Sequence, residues 1–265
     1  MAAVGVLIAC GAVLAAARAR SRWLLAAGLL ALLGCGALVV HGVVERHPGP
    51  QDVFEGAFQL STAWRAFAAG TVHLSVVDPG VGTARRAIAV LVAGHFFVLP
   101  DNGLLTLVLQ DAPAEAAVEL MTPASAAPTF HGRDVFAPVA ARLALAGDLG
   151  AVGRSIPPHS LVRLPVPLIS LDAGRVSAPV VSIDHFGNCR TLLPRDALPA
   201  SAGRLRVRCG ALSVVGVSRS YADVAVGQPL ALFGSHGGLE LAVRDGSAAE
   251  EWAIRRSALV EVTAE

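Results

Sequence analysis

Residues 71–93 read TVHLSVVDPGVGTARRAIAVLVA, and this stretch decides the fold. Residues 71–78 are apolar and β-branched, end on the carboxylate of Asp78 and run into Pro79-Gly80. They read as a buried strand closed by a turn. Residues 87–93 repeat the pattern and residues 95–99 form a third strand, each bounded by glycine or proline. Outward from these strands, residues 51–67 and 135–146 carry helical patterns, and the mixture predicts an α/β layer architecture. A proline-rich stretch over 157–167 then breaks the rhythm and reads as a linker. Beyond it, short strands at 180–184, 204–208, 212–217, 230–233 and 239–243 alternate with turn residues, as in a small β-barrel or sandwich. The predicted domains are residues 45–156, α/β, and residues 168–265, all β.

Composition narrows the functional classes. The chain has 265 residues, enough to bury a real core, and is 54% hydrophobic against 15% charged, which excludes a disordered tail. A net charge of +1 gives no footprint for nucleic acid. All 21 basic residues are arginine, so a Schiff-base lysine and a phosphate-loop lysine are both excluded. The four cysteines, Cys10, Cys35, Cys189 and Cys209, form no CxxC pair, which argues against a disulfide scaffold or structural zinc.

The first 44 residues differ from the rest. No acidic residue precedes Glu45, and residues 23–44 carry no formal charge. As a helix they would be about 33 Å long, enough to span a bilayer, with Arg18, Arg20 and Arg22 held on the cytoplasmic side.

Four segments could carry chemistry. Asp78-Pro-Gly-Val-Gly-Thr-Ala-Arg85-Arg86 puts a carboxylate at a strand end, a glycine turn and two arginines on the edge where α/β folds hold ligands. It is no dinucleotide fingerprint, since Arg85 stands at the third glycine and no helix follows. A tight turn with an Asp–Arg ion pair on its rim explains it equally well. Thr129-Phe-His131-Gly-Arg133-Asp134 sets a histidine at the mouth of a helix, an acid–base candidate or a structural histidine. Asp184-His-Phe186-Gly-Asn188 offers a carboxylate, an aromatic face and an amide to a flat heterocycle, or an ordinary Asx turn. Ser235-His-Gly-Gly-Leu-Glu240 is a second glycine-rich turn with a hydroxyl and a carboxylate.

Taken in order, VVDPGVGTARRAIAV, PDNGLLTLVL, TFHGRDVFAPVAARLA, DHFGN and GSHGGLELAV resemble the S-adenosyl-L-methionine hydroxide adenosyltransferases, adenosine-forming hydrolases related to fluorinating and chlorinating enzymes. The resemblance covers roughly residues 51–249. It implies an α/β class, with an N-terminal α/β (Rossmann-like) domain followed by a C-terminal β-barrel domain. It further implies a homotrimer, with active sites between one subunit's N-terminal domain and a neighbour's barrel. The family's water-activating aspartate, arginine and histidine map by motif onto Asp78, Arg85 and His131. Halide-using relatives lack that set, so the expected nucleophile is water. The expected reaction is attack on the ribose C5′ of S-adenosyl-L-methionine, giving adenosine and methionine with no metal and no cofactor. Asp184, Phe186 and Asn188 carry over to the substrate pocket, with Ser235 and Glu240 as further contacts.

The family opens with a strand bearing a TDFG-type motif, whose aspartate holds the ribose hydroxyls, and a helix completing the first layer. Residues 1–45 show neither, which predicts an uncovered sheet edge. Three readings stand open for this end: coding sequence read out of frame, a membrane anchor, or a diverged, inactive protein that binds adenosine or S-adenosylmethionine. The expected location is the cytoplasm, where the substrate is made. Membrane contact is expected only through residues 23–44.

Overall fold

A computed structural model describes residues 38–41, 52–172, 174–198 and 204–264. They fall into two compact units, divided between Leu164 and Pro165.

The first unit is built on a six-stranded sheet: β1 (Leu38–His41), β2 (Val72–Ser75), β3 (Ala87–Val92), β4 (His95–Pro100), β5 (Ala114–Leu120) and β6 (Gly153–Ile156). Its order is β1-β2-β4-β3-β5-β6. β1, β2 and β4 are parallel, whereas β3, β5 and β6 join by antiparallel pairs. β2, β3 and β4 are buried almost throughout, as apolar strands covered on both faces must be. Alternation sorts their side chains. Val72, Leu74 and Val98 join Phe136, Val139 and Leu143 in one core, formed with helix α3 (Ala137–Ala146). His73, His95 and Phe97 meet Trp64 and Phe67 on the other face, beyond helix α1 (Val53–Ala63).

Local chemistry sets the helices. Asp52 caps α1 by accepting from the amide of Glu55 at 2.9 Å. Gly56 lets α1 approach the sheet, because a Cβ there would lie 2.8 Å from Leu104 Cδ1 and 2.9 Å from Val77 Cγ2. The helix expected over 51–67 ends at Ala63 and tightens into a 3₁₀ turn over Trp64–Ala66. α3 is preceded by a π turn, Gly132–Phe136, and ends at Gly147, whose φ of 65° is left-handed. Helix α2 (Val108–Asp111) follows the PDNG run.

Two expectations require correction. Within the predicted membrane-spanning helix over 23–44, Leu38–His41 forms a strand paired in parallel with Val72–Ser75. The sheet edge at β2 is therefore covered. The physical reason is that β2's free N–H and C=O groups accept a neighbouring chain as a strand partner, which outweighs helical hydropathy. Leu38–His41 holds no carboxylate, so this strand does not supply the TDFG aspartate. Residues 1–37 and 42–51 lie outside the described residues. Among the described residues, no helix is long and apolar enough to cross a membrane.

The proline-rich stretch is tied down in part. Arg86 donates to Ser160 Oγ at 3.1 Å and to Ser160 O at 2.6 Å; Val162 N donates to Asp101 Oδ1 at 2.9 Å, and Leu164 N to Thr106 Oγ1 at 2.9 Å.

The second unit is an eight-stranded antiparallel sheet: β7 (Ser170–Asp172), β8 (Arg175–Ile183), β9 (Cys189–Pro194), β10 (Leu205–Cys209), β11 (Leu212–Val215), β12 (Pro229–Phe233), β13 (Gly238–Val243) and β14 (Leu259–Ala264), with a short helix α4 (Ala248–Glu251). The order is β11-β10-β14-β8-β9-β13-β12, with β7 on β8. Ser218 N donates to Ala231 O at 2.7 Å, bridging the chain after β11 to β12. The sheet thus nearly closes on itself as a barrel. Its interior holds Val180, Leu193, Val207, Leu241 and Val262.

Candidate active site

Asp78 lies three residues past the end of β2, where the parallel strands present their carboxyl ends. A turn follows, in which Val81 N donates to Asp78 O and Thr83 Oγ1 to Gly80 O. That turn returns the chain so that Arg85 stands two residues before β3. Gly82 has a φ of 79°, and a Cβ there would lie 3.0 Å from Pro128 O. A glycine is therefore needed for the loop carrying His131 to close over the turn.

The structure brings Asp78, Arg85 and His131 into one hydrogen-bonded array. Arg85 Nε donates to Asp78 Oδ1 at 3.0 Å, and Arg85 Nη2 donates to Asp78 Oδ2. The same Nη2 lies 2.9 Å from His131 Nδ1. Both members of the ion pair are largely buried, with side-chain exposures of 10% and 5%. A guanidinium only donates, so Nδ1 of His131 must accept and the ring proton sits on Nε2. Arg85 also lies over the ring of Phe136, 5.3 Å from its centroid.

The two neighbouring arginines have separate tasks. Arg86 pairs with Asp101, from the end of β4, at 2.8 Å through Nε and 2.5 Å through Nη2. Asn102, the next residue, donates to Val77 O at 2.8 Å and braces the chain leading into Asp78. Around His131 the loop is fastened by Asp134, which accepts from Ala127 N at 2.9 Å. Hydrogen bonding from Arg133 first, and from Ala127 second, holds the Asp134 carboxyl down to about 2.

In the second unit, Asp184 closes the turn between β8 and β9. Oδ1 accepts from the amides of Phe186 and Asn188 at 2.9 and 3.0 Å; Oδ2 accepts from Asn188 Nδ2 at 3.0 Å and Arg190 Nη2 at 2.6 Å. Burial pushes its carboxyl up, but the Arg190 and Asn188 donors outweigh it and the net shift is downward. Arg190 Nε lies 3.7 Å from Glu240 Oε2, and Tyr221 donates to Glu240 Oε1 at 2.6 Å. Glu240 is buried on β13, and that burial raises its carboxyl above the ordinary range. His236 Nε2 donates to Thr191 O at 3.2 Å, and burial lowers its pKa.

Asp184 and Glu240 are thus gathered around Arg190, with Asn188 bonded to Asp184. Phe186 is 71% exposed, and Ser235 is exposed on the turn between β12 and β13. Sequence reading missed Arg190, Tyr221 and His236. Arg190 was within reach, two residues beyond the DHFGN run, whereas no spacing links Tyr221 to Glu240. The buried thiols are inert, with Cys189 pushed up to about 12 by burial. Among the described residues, no three of His, Cys, Asp and Glu gather as a metal-holding group.

Comparison with known proteins places the chain in a family. Models of the SAM hydroxide adenosyltransferase N-terminal and C-terminal domains match residues 41–153 and 178–261. An (R)-S-adenosyl-L-methionine hydrolase of Salinispora tropica is 43% identical over 225 residues, which covers 81% of this chain and 83% of that protein. A fluorinase of Actinopolyspora mzabensis is 32% identical over 254 residues, covering 81% and 84% respectively. The crystal structure of an uncharacterized conserved protein from Thermotoga maritima superposes with a TM-score of 0.79 at 30% identity, covering 92% of this chain and 95% of that one. With both domain models matched in order along most of its length, the chain belongs to the SAM hydroxide adenosyltransferase family.

Proposed function

We propose that this chain hydrolyses S-adenosyl-L-methionine to adenosine and L-methionine. The observation that carries the reading is the Asp78–Arg85–His131 array at the carboxyl ends of the parallel strands. Hydrolases similar to it are named for the (R) form of this substrate, and that form is the expected one here. The array matches the set that distinguishes the water-using members from the halide-using ones.

The chemistry needs little from the protein beyond alignment and a base. The bond from water oxygen to C5′ forms as the C5′ to sulfur bond breaks, and the sulfur leaves as a neutral thioether. The leaving group requires no proton, so catalysis rests on in-line placement of water and removal of its proton. Arg85 cannot take that proton, because guanidinium stays protonated. His131 as arranged cannot either, since Nδ1 is occupied by Arg85 and Nε2 already bears a proton. Asp78 therefore acts as the base, each carboxylate oxygen retaining a second lone pair beyond its bond to Arg85. Arg85 and the Nε2–H of His131 orient the water and stabilise developing hydroxide. In the second unit, the groups around Arg190 hold the substrate, with Phe186 packing on the adenine, Ser235 a further contact and Glu240 toward the methionine ammonium. We also propose assembly as a homotrimer and a cytoplasmic location, readings supported by the family resemblance and by where the substrate is made.

The test is incubation of the purified chain with S-adenosylmethionine in metal-free buffer, with and without chloride, followed by chromatography. Adenosine and methionine in equal amounts, unchanged by chloride, support the reading. A chlorinated nucleoside, or no product from folded protein, overturns it.

A further inference from the structure

The π turn Gly132–Phe136 does something an α turn in its place could not. In an α-helix, five residues advance by about 500°, which would set His131 and Phe136 about 140° apart around the axis. The wider turn is closed here by Ala137 N bonding to Gly132 O, and it returns a residue five positions on to nearly the same side. Both side chains consequently reach one guanidinium. His131 Nδ1 accepts from Arg85 at 2.9 Å, and the ring of Phe136 lies against Arg85 with its centroid 5.3 Å from the guanidinium carbon. Phe136 is fully buried in the core with Val135 and Leu143. It gives that side of Arg85 an attractive π surface and no competing hydrogen-bond acceptor.

We propose that Phe136 is a positioning residue for the Asp78–Arg85–His131 array. It holds Arg85 where Nη2 can donate to Asp78 and His131 together, and through that second bond it keeps the ring proton of His131 on Nε2. The proposal rests on the hydrolase reading for its kinetic consequence, but its structural consequence stands alone.

The test compares Phe136→Leu, which removes the ring against Arg85, with Leu143→Ala, which cuts the same core two turns farther along the helix. Phe136→Met, whose longer unbranched side chain adapts to the space the ring leaves, replaces the leucine variant if that protein does not fold. Two quantities are read: steady-state hydrolysis of S-adenosylmethionine, and histidine-ring nitrogen NMR, which reports the tautomer of His131. For Phe136→Leu, kcat falls roughly tenfold, the scale of a desolvated cation–π contact, with KM within twofold. In the same variant His131 becomes a mixture of tautomers, while Leu143→Ala matches the parent in both readouts. The proposal is overturned if Phe136→Leu keeps the Nε2–H form unchanged, or if Leu143→Ala loses kcat equally. If the parent chain does not hydrolyse the substrate, the hydrolase reading fails, and the tautomer comparison still decides the role of Phe136.

Discussion

Replacing Asp78 by asparagine removes one charge and almost no volume from the array. The carboxylate accepts from Arg85 through both oxygens, and only 5% of its side chain is exposed. Asparagine retains one acceptor, so the Arg85 Nε bond survives, but an amide NH₂ then faces Nη2 and donor meets donor. Arg85, itself only 10% exposed, becomes a nearly buried cation with half its pairing lost. Breaking such a pair costs about 3–5 kcal/mol, a fall in Tm on the order of 10 °C for a domain of this size. The kinetic loss is separate. If Asp78 takes the proton from water, kcat falls by about 10² to 10⁴, the usual contribution of a general base. Asp78→Ala loses as much activity. The assay is adenosine release at saturating S-adenosylmethionine, at a temperature where melting curves show both proteins folded. A loss of threefold or less would refute the assignment of Asp78 as base, whatever happened to the Tm.

Three further outcomes follow from other contacts. His131→Asn keeps an oxygen near Nδ1 to accept from Arg85 but removes the Nε2–H, so Tm should stay within a few degrees while kcat falls at least tenfold; unchanged kcat would remove Nε2–H from the reaction. Arg86→Met breaks the pair with Asp101 and releases Ser160, so limited proteolysis should cut residues 157–164 faster than in the parent, and equal rates would show that the remaining bonds suffice. Asp184 has a lowered folded-state pKa, so its stabilisation is present above the ordinary aspartate range near 3.9 and is lost as pH falls through the lower folded value. Asp184→Asn should therefore lower stability at pH 7 by about 1.5–3 kcal/mol, with the difference disappearing at strongly acid pH. A difference independent of pH would locate the effect in packing.

The candidate-site motifs were legible because each is local. Asp78 ends an apolar run and is followed at once by Pro79-Gly80; His131 precedes a helical pattern; Asp184 and Asn188 share one turn. Turn chemistry and strand periodicity act over a few residues, so these positions could be set on strand ends and helix starts without coordinates. β5 escaped because Ala114–Leu120, AEAAVEL, has poor strand propensity, and its pairing with β3 and β6 supplies what the side chains do not. β9 was hidden behind the DHFGN turn that leads into it.

By itself the sequence determined the two-part architecture, the residues of the array and the family, since all three rest on patterns written along a short length of chain. Tertiary structure alone decided that Leu38–His41 is a strand, because hydropathy cannot distinguish a membrane from an unfilled sheet edge. It also shows the physical reason that Arg85, the arginine the motif resemblance picks out, meets Asp78 while its neighbour meets Asp101. Arg85 and Arg86 are chemically identical, and successive residues on an extended chain point to opposite sides. Only the positions of Asp101, Ser160 and His131, brought from 15 to 74 residues away, separate an arginine that ties down residues 157–164 from one that joins Asp78 to His131.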